Sequence, residues 1–154
     1  MIVKKEITER KCCFYASDFH LEMTIVPYID KKIKENKNVI IITQNKLEDS
    51  IKILISRMNM KNKQYILKID WNNDDISKIQ SINDIVIING NKKFIENKYE
   101  EIKKMLGKLP NELIDCYLFD EIKNEIVEIK EEHTGVLNNL QKDYWKIKLN
   151  GILL

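Results

Sequence analysis

The sequence predicts an α/β fold: a three-layer sandwich in which a mostly parallel sheet of five or more strands carries helices on both faces. Three observations predict it. Short apolar runs alternate with amphipathic stretches from end to end of the chain. Two of the runs, Val39–Thr43 (VIIIT) and Ile85–Ile88 (IVII), are continuously apolar, as strands covered on both faces must be. The length of 154 residues suits a single domain with a two-sided core.

The elements follow in order. Lys11–Ala16 (KCCFYA) reads as the first strand. Asp18 is placed to cap a helix whose Leu21, Ile25, Ile29 and Ile33 recur on one face, with Pro27 expected to kink or divide it. After the Val39–Thr43 strand, Leu47, Ile51, Leu54, Ile55 and Met58 mark the second helix. Tyr65–Ile69 (YILKI) reads as a third strand ending at Asp70-Trp71-Asn72-Asn73, followed by a short helix carrying Ile76, Ile79 and Ile82. Ile85–Ile88 is the fourth strand. Ile95, Tyr99, Ile102 and Leu106 stripe the next helix, stopped by Gly107 and Pro110. Leu113–Phe119 (LIDCYLF) supplies the fifth strand. Glu121–Lys130 suits either the return strand of a hairpin or a helix; Ile122, Ile126, Ile129 and His133 share a helical stripe with Gly135 as its stop, which favours helix. Trp145–Leu149 (WKIKL) alternates like a strand.

Composition narrows the function classes. Hydrophobic residues at 44% and charged residues at 32% describe an ordinary globular protein, and 26 basic against 24 acidic side chains are interspersed along the chain. No field for nucleic acid or anionic lipid is expected, and the basic run Lys31–Lys37 reads as a solvated helix end. No apolar stretch approaches a membrane span or a signal peptide, which leads to the expectation of a cytoplasmic protein. Cys12, Cys13 and Cys116 lie within apolar strands and are expected to be reduced and buried, with thiolates disfavoured. His20 and His133 stand near no C-x-x-C pair, so no metal site is predicted.

The first strand-to-helix turn carries the strongest chemical statement. It reads Ala16-Ser17-Asp18-Phe19-His20-Leu21-Glu22, with no glycine, no lysine and two carboxylates. A phosphate-cradling turn needs glycines so that backbone N–H groups can close on the anion, and usually a lysine to neutralise it. Asp18 and Glu22 would instead hold the electropositive helix start themselves. Neither ATP nor GTP is expected to bind, and no cofactor is predicted.

Two blocks carry a resemblance. Cys13-Phe14-Tyr15-Ala16-Ser17-Asp18, followed by Val26-Pro27-Tyr28-Ile29 in a helix, resembles the opening of the MEDS sensory domains. Cys116-Tyr117 on a strand, then Ile126-Val127-Glu128-Ile129 and His133 closing a helix, is similar to that family's end block. The resemblance implies a RecA-like or KaiC-like α/β fold, within the wider Rossmann-like class, that has lost its phosphate-binding loop. It also implies a sensory input that serves DNA-binding domains, kinases or other outputs. The chain departs from the pattern at Lys34-Glu35-Asn36-Lys37, where glycines are usual, and no output domain is recognised in these residues.

Ligands of open parallel sheets bind over the carboxyl ends of the strands. The residues expected there are Ser17, Asp18 and His20; Gln44; Asp70 and Trp71; and Asn89, with Trp71 read as an exposed indole beside hydrogen-bonding groups. Singly, such residues also serve as caps and turn formers. A phospho-acceptor role for Asp70 lacks the paired acids and the lysine that it needs. His133 reads as an imidazolium at a negative helix terminus. The expectation is a non-catalytic sensory or regulatory module that binds a small molecule or a signalling protein. Its rivals are an Mg²⁺-dependent phosphotransfer or nucleotide-binding enzyme built on Asp18, Asp70 and Asp120, and a structural interaction domain acting through Trp145–Leu154.

Overall fold

The computed structural model describes residues 8–137 and Tyr144. Five strands, Glu9–Tyr15 (β1), Val39–Thr43 (β2), Ile85–Asn89 (β3), Glu112–Leu118 (β4) and Gly135–Val136 (β5), form one sheet in the order β2-β3-β4-β1-β5. All pairings are parallel. From β1 the chain crosses to the far edge at β2, returns through β3 and β4, then passes β1 to add β5 on its other side.

Reversing the direction of strand addition moves right-handed connections to the opposite face. Asp18–Lys34 (α1) accordingly packs on one face, over Cys13, Tyr15, Ile41, Ile85, Ile87, Ile114 and Cys116; Glu48–Ser56 (α2) and Lys63–Lys68 (α3), in the β2–β3 connection, share that face, and the chain then rounds the β2 edge to bring Ile76 and Ile79 to the other face before β3. Lys92–Leu106 (α4), Phe119–Ile122 (α5) and Ile126–Glu131 (α6) pack on the other, over Cys12, Ile42, Val86, Ile88, Leu113 and Tyr117. The expected three-layer α/β sandwich is present, in the RecA-like or Rossmann-like class. Adjacent Cys12 and Cys13 face opposite layers, and all three cysteines are free and buried. Burial pushes Cys12 up to about 11 and Cys116 well above the ordinary thiol range, which keeps both as thiols.

Helix α1 is buried all round from Leu21 to Asp30, because α2 and α3 cover the flank that the sheet does not. It runs as one helix through Pro27, so of the expected kink or division the division does not occur. Its N-cap is Ser17, whose hydroxyl accepts from His20 N–H at 3.2 Å, and Asp18 is the first helical residue rather than the cap. Helix α4 ends as the sequence predicts, on Gly107 at φ +80°, where a Cβ would be strained.

Three expectations are corrected. Tyr65–Ile69 is no strand: α3 occupies Lys63–Lys68, and only Ile66 of its residues is buried. The region Ile122–His133 is helical rather than a hairpin, but it divides into α5 and α6 around Lys123–Glu125. Gly135 opens β5 instead of stopping a helix, as pairing with Lys11 demands extended backbone there. The proposed Trp145–Leu149 strand and Trp145–Leu154 contact segment lie outside the described residues. Among the described residues no helix is long and apolar enough to cross a membrane.

Candidate functional site

The carboxyl ends of β1, β2 and β3 bring some of the predicted residues together, and Ser17, His20, Gln44 and Asn89 are engaged by neighbouring groups of the protein. Ser17 caps α1, and His20 reaches back so that its Nδ1 accepts from Ala16 N–H at 2.9 Å. Asp18 is exposed in the first turn. The Gln44 side-chain oxygen accepts from Asn91 N–H at 2.9 Å, which ties the end of β2 to the start of α4. Asn89 is buried and its Nδ2 donates to Thr43 Oγ1 at 3.1 Å, while Thr43 donates onward to Asn45 O. The Asn89 Oδ1 is buried with no hydrogen-bond partner among the described residues. Gly90 completes this turn because a Cβ there would meet the Phe94 ring at 2.4 Å.

Asp70 and Trp71 follow α3 rather than a strand, and their segment lies against the end of β2, where Leu47 N–H donates to Trp71 O at 3.2 Å. Asp70 is exposed at the β2 edge, held by Lys78 Nζ at 2.5 Å, and this hydrogen bond keeps its carboxyl below the usual carboxylate range. Trp71 is 1% exposed and belongs to the core, with Nε1 donating to Ile66 O at 2.8 Å. The expectation of an exposed, ligand-facing indole is therefore wrong: with α3 helical, the chain turns inward and the indole fills the space beneath it.

Glu22, one turn beyond Asp18, points into the core and is fully buried. Both its oxygens lie 2.8 Å from Ser50 Oγ on α2. Burial pushes its carboxyl up to about 7; the Ser50 hydrogen bond works against this and the Asp18 charge adds to it.

A second buried acid, Asp115 on β4, was not singled out by sequence. It accepts from Tyr99 Oη at 2.6 Å and from Arg10 Nε at 3.0 Å, and His133 Nε2 lies 2.6 Å from it. His133 Nδ1 faces Ile129 O of α6, so each ring nitrogen lies against an oxygen. Burial opposes the Arg10 charge, but Tyr99 and Asp115 outweigh it and raise the guanidinium pKa. The cluster pins α4, α6 and β5 to the sheet. Asp115 thus has three side-chain partners, and the second ring nitrogen of His133 is met by backbone.

A concavity lies along the outer edge of β2. It measures about 940 Å³ and runs between α3 on one side and the turn Ile76–Lys78 on the other, with β2 and the end of α1 as its floor. Lys34, Lys37, Lys68 and Lys78 line it, with Asp70 as its one acid. Of the predicted site residues only Asp70 borders it. The run Lys31–Lys37, read as a solvated helix end, contributes two of the lysines. The sequence held no direct signal for this groove, because which strand lies at the edge is set by topology.

Asp18, Asp70 and Asp120 do not gather: among the described residues no group of three His, Cys, Asp or Glu could hold a metal ion. Compared with known proteins, the chain matches no family model, no curated protein and no solved structure.

Proposed function

We propose that this chain is a non-catalytic sensory or regulatory module that binds a small molecule or a signalling partner in the groove beside β2. One contrast carries the reading. The strand ends are closed by their own caps and side-chain bridges, whereas the groove is open, polar and rimmed by lysines. The acidic, glycine-free turn at Ser17-Asp18 supports the loss of phosphate binding, as it offers a triphosphate neither an amide nest nor a lysine.

Calorimetry tests both halves. MgATP and MgGTP are expected to bind no tighter than about 1 mM. A thermal-shift screen of anionic metabolites is expected to return ligands whose affinity falls about tenfold in Lys37→Glu/Lys68→Glu. Micromolar nucleotide binding that is lost on changing Ser17 or Asp18 would overturn the reading.

A further inference from the structure

The edge of β2 is chemically half-finished. Asn38 O accepts from Ile85 N–H at 2.8 Å and Gln44 N–H donates to Asn89 O at 2.8 Å, so the even-numbered residues of this strand bond to β3. The odd-numbered residues face outward. Thr43 N–H donates to Asn73 O at 2.7 Å, and the Asn73 amide donates to Ile41 O at 2.9 Å. Asn73 thus closes the upper part of the edge as a strand would. Below it, Val39 N–H, Val39 C=O and Ile41 N–H point the same way, and no hydrogen bond among the described residues reaches them. They border the groove.

We propose that the groove receives an extended, acidic segment of a partner protein, which pairs with Val39 and Ile41 as a sixth strand. This rests on the reading of the groove as the binding site and names its occupant. A donor, an acceptor and a second donor spaced along one strand are what an added peptide strand reciprocates, and a compact anion does not. Charge sets the chemistry of the segment. Lys78 is engaged by Asp70 and Lys34 by Asp30, but no ion pair among the described residues engages Lys37 or Lys68. Side chains of an added strand alternate between the two walls, so acidic residues are expected at every second position, towards the α1 and α3 side. A second copy of this chain would set lysines against lysines, which disfavours edge-to-edge pairing.

The probe is a library of alternating heptapeptides, with Asp or Glu at odd positions and Val, Ile or Thr between them, titrated by fluorescence anisotropy. The same peptides with Lys at the odd positions are the control. Acidic members are expected to bind, control peptides not, and Lys37→Glu/Lys68→Glu to weaken binding by about tenfold or more. N-methylation at alternate peptide nitrogens is expected to abolish binding, and methylation at the intervening ones to leave it. Amide exchange at Val39 and Ile41 is expected to slow in the complex. Binding indifferent to the methylated position overturns the proposal, as does no peptide binding. Citrate and pyrophosphate, titrated in parallel, separate the two failures. If they bind through Lys37 and Lys68 while peptides do not, the strand proposal fails and the groove remains a binding site. If nothing binds, both fall.

Discussion

Replacing Glu22 with glutamine should remove most of a pH dependence that the fold builds into its own stability. The carboxyl sits at about 7 in the folded chain against an ordinary 4.5. The folded state therefore holds this proton more tightly than the unfolded state. Stability from the protonated acid is fully present below the unfolded value and is lost as pH rises through the folded one. At about 1.4 kcal/mol per unit, the loss between pH 4 and pH 8 is about 3 kcal/mol. The structure supplies the cause. Protonated, Glu22 can donate to Ser50 Oγ, and Ser50 can pass its own hydrogen to Leu47 O at 3.4 Å. Ionised, the carboxylate has one hydroxyl in place of its water. The assay is urea unfolding of wild type and Glu22→Gln in half-unit steps of pH. Only the difference between the two curves is read, since every other titrating group is common to both. The wild type should lose about 3 kcal/mol relative to the variant as pH rises. Parallel curves, or a wild type that gains on the variant towards alkaline pH, would refute the reasoning.

Trp71→Ala should cost about 3–5 kcal/mol in urea unfolding, as expected for a buried indole, and a loss under about 0.5 kcal/mol would return Trp71 to the surface. Asp115→Ala should cost about 3–5 kcal/mol, because the half-buried Arg10 guanidinium, the Tyr99 hydroxyl and the buried His133 ring would lose their shared acceptor; a near-neutral result would deny the cluster its bracing role. Gly90→Ala should cost about 1–3 kcal/mol by overlap with the Phe94 ring, and adding Phe94→Ala should recover part of that loss.

Where apolar pattern alone decides, the sequence was readable. β2 and β3 are buried on both faces because isoleucine-rich runs suit nothing else, and Gly107 stops α4 because only glycine takes its φ without strain. Reading failed where five residues were asked to reveal a period. In Tyr65–Ile69 the β-branched and aromatic side chains suggest a strand, yet Tyr65 and Leu67 end up exposed on α3, and tertiary packing overrides propensity. That error carried Trp71 with it. The Asp115 cluster had a signal that went unused: an acid inside LIDCYL must find hydrogen-bonding partners, and Arg10, Tyr99 and His133 supply them from distant positions. The groove had none, since a strand becomes an edge only when the whole sheet is ordered.

The strand order has a consequence for how the chain is made. Arg10 and Asp115 are 105 positions apart, and every sheet partner of β1 lies at least as far along as β4. At a ribosomal rate of roughly 5–20 residues per second, β1 emerges and waits roughly 5–20 s before a partner exists. Over that interval its apolar residues and both thiols of the Cys12-Cys13 pair have no sheet to enter. β2 and β3 meet far sooner, so the newborn chain first assembles its middle and recruits its own beginning last. Slow codons between β3 and β4 should therefore lengthen the exposure of Cys12 and Cys13 to alkylating reagents on stalled ribosomes, while leaving the released protein protected.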